Sequence, residues 1–182
     1  MIVRVFACLA VSASPVWASC PAAPDHEQAL SDLIEKAQQA PSEAVGRALS
    51  NRMWELWSDA PDAHAQDLLD SGMSRREIFD YDAAMKAFDA LVEYCPEYAE
   101  GYNQRGFLHF LREDFEQALP ELDAALERQS RHVAARTGRA LTLMALGRNA
   151  EAALDLRAAL ELNPWLGERH LLPVLAAEED DL

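Results

Sequence analysis

AQDLLDSGMSRREIFDYDAAMKAFDALVEYCPEY (residues 65–98), AEGYNQRGFLHFLREDFEQALPELDAALERQSRH (99–132) and VAARTGRALTLMALGRNAEAALDLRAALELNPWL (133–166) are successive blocks of 34 residues that align without a gap. Alanine recurs at one register as Ala84, Ala118 and Ala152. Four residues on stands a large apolar side chain, Phe88, Leu122 or Leu156, and three further on Leu91, Ala125 or Ala159. An earlier register holds a small residue each time: Gly72, Gly106, Ala140. Apolar positions three and four apart share a helix face. A fixed repeat of this length marks a solenoid, whose units bury that face only against their neighbours. The expected fold class is all-α.

Each block reads as helix A, a tight turn and helix B. In the second, Tyr102–Leu111 precedes Glu113 and Asp114, and Asp114 is the expected cap of a helix starting at Phe115. In the third, Gly147 ends helix A where a left-handed residue is needed. Pro96 and Pro164 close the first and third blocks, with Ser130 at that place in the second. Pro120 lies beyond the first turn of its helix, where proline normally bends the rod. The pattern resembles the tetratricopeptide repeat (TPR), a pair of antiparallel helices per unit. The resemblance implies a TPR-type helical-hairpin solenoid with repeats at 65–98, 99–132 and 133–166. It says little about activity, because this scaffold carries many unrelated functions.

Outward from the repeats, residues 25–62 read as a degenerate helical pair, a fourth unit ending the solenoid. Asp25 caps a first helix through Gln39, with Leu30, Leu33, Ile34 and Ala37 on one stripe. Pro41 breaks it, and Ser42 starts a second helix to about Ser58. The apolar face of that helix is Val45, Leu49, Met53, Trp54, Leu56 and Trp57. Residues 167–182 read as a capping segment, interrupted at Pro173, and an acidic tail.

Residues 1–18 read as a signal peptide. One positive charge at Arg4 precedes the short apolar run Val5–Ala13, and Val16-Trp17-Ala18 fits a small-x-small cleavage pattern. Residues 19–24 are then a flexible tail, and the protein is exported, to a periplasm in a bacterial-type cell. Removal of Cys8 leaves Cys20 and Cys95, a pair able to form one disulfide in an oxidising compartment. A competing reading makes Cys20 a lipid-modified N-terminus after Ala18 and Ser19. Each reading excludes the other.

The net charge of −15, from 31 acidic and 16 basic side chains, argues against a nucleic-acid partner. It also argues against anionic lipid, so membrane contact is expected only if Cys20 is lipidated. None of the five histidines stands in a metal-binding spacing. There is no nucleophile elbow and no Gly-rich phosphate loop. No catalytic residue, metal ligand or cofactor is expected, and the chain reads as non-catalytic.

Arg105 and Arg139 share a register, and sixteen residues later stand Glu121 and Asp155. The first block lacks both members, with Ser71 and Ala87 instead. This joint pattern points to a structural Arg–carboxylate pair between helices A and B. The TPR resemblance places the concave groove on helix A, and its candidate partner-binding residues are Leu69, Met73, Asn103, Phe107, Phe110, Leu141 and Met144. Leu69 and Ala134 stand where a carboxylate-clamp groove has lysines. The resulting apolar groove suits a protein or peptide partner, unless the chain's own ends cover it. His109 falls at a packing register and reads as a satisfied core histidine. The functional expectation is a scaffold or adaptor; the alternative is a lipid-anchored structural component of a cell envelope.

Overall fold

The computed structural model describes residues 19–179. The signal-peptide reading of residues 1–18 lies outside the described residues. Among them the chain forms α1 (Glu27–Gln38), α2 (Glu43–Trp57), α3 (Ala63–Glu77), α4 (Tyr81–Tyr94), α5 (Ala99–Leu111), α6 (Phe115–Arg128), α7 (Val133–Ala145) and α8 (Asn149–Leu162). A 3-10 turn, Gly167–Leu171, then leads into α9 (Leu172–Glu179). No strand occurs among the described residues.

The pairs α3/α4, α5/α6 and α7/α8 are copies of one hairpin, down to the turn. Each A helix ends on a left-handed residue: Phe79 with φ 62°, Glu113 with φ 61°, Gly147 with φ 72°. The residue after it donates its N–H five residues back, Asp80 to Arg75 O at 2.9 Å, Asp114 to His109 O at 3.0 Å and Arg148 to Leu143 O at 2.9 Å. This closure satisfies carbonyls that the helix end would otherwise strand. Only the third repeat uses glycine for it. Asp114 stands at the cap position of α6, but its side chain makes no capping bond. It lies instead 3.5 Å from Arg112 Nε. α6 runs unbroken through Pro120.

The repeating apolar registers are the core. Ala84, Ala118 and Ala152 are fully buried, as are Phe88, Leu91, Ala125 and Ala159, with Leu122 and Leu156 at 1% exposure. Small residues on helix A let helix B approach. A β-carbon on Gly72 would sit 2.2 Å from the Phe88 ring, so the pair fits only with glycine there.

The Arg–carboxylate pairs lie across these hairpins. Arg105 donates from Nε and Nη2 to Glu121 at 2.8 and 2.6 Å. Arg139 donates from Nε and Nη2 to Asp155 at 2.6 and 2.7 Å. Each arginine also reaches back one repeat, Arg105 Nη1 to Asp89 at 3.2 Å and Arg139 Nη1 to Asp123 at 2.6 Å. Every guanidinium therefore clamps its own B helix and the preceding one.

The N-terminal pair departs from the expected architecture. It does not stack on the first repeat as a fourth unit. Leu30, Leu33, Ile34, Ala37, Met53 and Trp57 form one core with Val133 of α7, packed against Leu162 and Leu166. Polar bonds follow the same line: Gln38 Nε2 to Glu161 O at 2.7 Å, Trp165 Nε1 to Ala37 O at 3.0 Å, Asn163 Nδ2 to Ser50 Oγ at 2.7 Å. The pair thus joins the start of the solenoid to the end of its third repeat. Gly46 makes this possible, because the Trp165 ring lies 2.2 Å from where its β-carbon would stand. Val45 and Trp54 are not in that core; they stay 41% and 37% exposed.

Residues 19–24 are tied down, with Cys20 bonded to Cys95 at the end of α4. At the other terminus Pro173 does not interrupt a helix. It sits in the first turn of α9, where the missing N–H costs nothing.

Candidate functional site

Helices A of the three repeats face a cavity of about 340 Å³. α5 contributes Asn103, Phe107 and Phe110, α7 contributes Ala134, Thr137 and Leu141, and α3 contributes Arg76. Trp54 of α2 and the Leu166–Glu168 stretch close the remaining sides. The trough expected from the repeats is therefore shortened at both ends by the chain itself. Phe107 remains 39% exposed within it.

Four of the seven candidate groove residues line this cavity: Asn103, Phe107, Phe110 and Leu141. Leu69 does not. It is fully buried in the first repeat's core with Phe88, Leu91 and Leu108, and Met73 packs against the same cluster. Met144 packs against the core between α7 and α8. The reason is rotational: each residue turns a helix face by a fixed angle, and packing from α4 and α5 takes up a wider arc of α3 than a linear register suggests.

Behind the cavity lies a buried polar chain. Glu100 is 1% exposed, and its carboxylate accepts from Asn103 Nδ2 at 3.1 Å and from the Gln104 side-chain amide. His132, fully buried, meets the same carboxylate through Nε2 at 2.8 Å. Its Nδ1 accepts the Ala135 N–H at 3.2 Å, so the ring proton sits on Nε2 and is donated to Glu100. Trp57 stacks on this imidazole with ring centroids 4.4 Å apart. A buried carboxylate persists because three donors answer it. Glu100 and His132 stand 32 residues apart, and only the fold brings them together. The one available signal was an acidic side chain between two small residues, Ala99 and Gly101, at the start of α5.

Arg76 joins this chain from α3 by donating to the Gln104 side-chain oxygen, and its guanidinium carbon lies 5.1 Å from the centre of the Phe107 ring. Burial lowers its pKa from the usual guanidinium value, opposed by the field of Glu100. Among the described residues, buried polar atoms left without partners are Thr137 Oγ1, which borders the cavity, Trp57 Nε1 and Arg136 Nε. The same holds for His109 Nδ1, so the expectation of a satisfied core histidine is corrected. Its Nδ1 stands 3.8 Å from Asp114, beyond hydrogen-bonding range.

Among the described residues, no group of three or more His, Cys, Asp or Glu is placed to hold a metal ion. No helix among them is long and apolar enough to cross a membrane.

Residues 133–164 match the family model for the tetratricopeptide repeat. This stretch carries a tetratricopeptide repeat, and the chain has the TPR-type fold. It is similar in structure to the first TPR domain of Spaghetti (RPAP3) bound to the HSP90 peptide SRMEEVD, with a TM-score of 0.62 and 21% identity, over 64% of this chain and 93% of that one. The TPR2B domain of yeast Sti1 in its pHsp70 complex gives a TM-score of 0.58 at 21% identity, over 66% of this chain and 98% of that one. MamA from Desulfovibrio magneticus RS-1 gives a TM-score of 0.58 at 17% identity, over 88% of this chain and 89% of that one. At such identities the likeness concerns the fold. The chain matches no curated protein sequence.

Proposed function

We propose that this TPR protein is an exported, non-catalytic interaction module that docks an apolar anchor of a partner protein in the cavity between Phe107 and Trp54. The observation that carries this reading is the cavity itself, a preformed cup with an aromatic left partly bare at its centre. Two similar TPR domains are described in complexes, one with the HSP90 peptide SRMEEVD and one with pHsp70, which supports a peptide as the class of partner. The closed ends of the cup favour one or two anchoring side chains over a long extended segment.

Export is supported by the leader-like residues 1–18 and by the Cys20–Cys95 pairing, which needs an oxidising compartment. A lipid on Cys20 would use the same sulfur, so the anchored envelope component is the second reading. Mass spectrometry of the mature N-terminus separates the two: free Ser19 supports the soluble form and acylated Cys20 the anchored one.

Cross-linked capture from the native envelope fraction tests the docking. Phe107→Ala should lose the partner, while Leu154→Ala, an exposed apolar change on α8 at 63% exposure, should keep it. Loss of about 2 kcal/mol, some 30-fold in affinity, is the expected scale for a central aromatic anchor. Equal capture by both folded variants would remove the cavity as the docking surface.

A further inference from the structure

We propose that the group received by the cavity is a bulky apolar side chain with a carboxylate close to it, and that Arg76 supplies the counter-charge. This rests on the docking reading above and specifies the chemistry of the anchor.

Arginine usage in the rest of the protein sets Arg76 apart. Arg105 and Arg139 are each held by two carboxylates. Arg128 spends its donors on Pro96 O, Ala124 O and the Tyr102 hydroxyl. Arg76 borders the cavity and donates to one neutral amide, Gln104, whose own amide nitrogen is committed to Glu100. Among the described residues no carboxylate lies within ion-pairing distance of it. A guanidinium presents five donors in a planar fork that matches a carboxylate, and partial burial strengthens that match by excluding water. Stacking over Phe107 fixes the fork beside the apolar floor, so apolar body and charge must arrive together.

Thr137 gives an independent sign that the cup is built for a polar-tipped guest. It is 7% exposed, it borders the cavity, and its hydroxyl has no partner. An unanswered buried hydroxyl is costly, and a ligand oxygen or N–H in the cavity would answer it.

Glu168 is also on the rim and would favour a cation. It is half-buried, as Arg76 is, but it stands on the 3-10 turn at the rim, whereas the Arg76 guanidinium lies over the Phe107 ring, 5.1 Å from its centre. An apolar group seated on the Phe107 floor therefore has the guanidinium beside it, despite the acidic balance of the whole chain.

Three small probes of one shape decide the matter: 3-phenylpropionate, 3-phenylpropionamide and 3-phenylpropylamine. Each is titrated into the oxidised protein and followed by amide chemical shifts. The propionate should bind about tenfold more tightly than the amide, with shifts centred on Phe107, Thr137 and Leu141. Arg76→Gln should erase that preference while the amide still binds, and Arg76→Lys should keep part of it. Melting curves of both variants establish that the fold is intact. Equal affinity for propionate and amide, or a preference for the amine, overturns the carboxylate assignment and leaves docking in the cavity standing. No shift from any probe overturns both.

Discussion

Arg139 and Asp155 meet in a two-point contact, Nε to Oδ2 at 2.6 Å and Nη2 to Oδ1 at 2.7 Å, and the third nitrogen of the same guanidinium reaches Asp123 of the preceding repeat. The carboxylate hydrogen bonds, Asp155 first, raise the arginine's pKa against the opposing effect of burial. The Asp155 side chain is only 7% exposed, so removing Arg139 leaves a nearly buried charge with only the longer 3.3 Å contact to Arg136. Arg139→Leu should therefore cost about 3 kcal/mol. The double variant Arg139→Leu with Asp155→Ala should recover much of that loss. Denaturant melts check it, and equal midpoints for the single and double variants would show that the pair is not coupled.

Gly46 and Trp165 occupy space that a single methyl group would contest. Gly46→Ala must push α2 off the C-terminal segment or displace the indole, at a cost of about 1–3 kcal/mol for overpacking. Trp165→Leu in the same chain should relieve most of the strain. Urea unfolding of the two variants is the measurement. An unaffected Gly46→Ala protein would show that the N-terminal pair is not seated against Trp165.

The Cys20–Cys95 bond closes a separation of 75 residues that contains the whole N-terminal pair and the first repeat. In the chain-entropy account a loop of this size contributes roughly 4 kcal/mol, by restricting the unfolded chain. Cys20→Ser should lose up to that amount, and reduction of the wild-type protein should match it. Thiol labelling under denaturing, non-reducing conditions should find neither cysteine. Two labelled cysteines in protein taken from an oxidising compartment would overturn the pairing.

Phe79 sits at φ 62° and is 78% exposed, in the same place where the third repeat has Gly147 at φ 72°. A side chain with a β-carbon is strained in this region by about 1–2 kcal/mol. Phe79→Gly should return part of that, less the entropy glycine loses on folding, for a net gain of up to about 1 kcal/mol. A higher melting temperature is expected. A drop would mean that the Phe79 ring, seen 6.1 Å from Tyr81, contributes more to the turn than the strain removes.

The repeating unit is legible in the order of residues alone. Ala84, Ala118 and Ala152 with their partners four residues on predict which faces meet, because helical periodicity ties burial to spacing within a few turns. Gly147 announced its left-handed turn, and Arg105 and Arg139 announced their carboxylates through a shared register. Phe107, Phe110, Asn103 and Leu141 were legible as inner-face positions through the TPR resemblance. Leu69 was misplaced because burial around a helix depends on how neighbouring helices close over it. Only the tertiary structure decided where α1 and α2 lie, since the seat of Trp165 on Gly46 is a match of shapes between distant segments with no periodic signature. The same holds for Asp89 and Asp123, whose role depends on how one repeat is rotated against the next. It holds equally for Glu100 and His132, whose pairing exists only because the repeat junction carries both out of water and leaves each as the other's best hydrogen-bond partner.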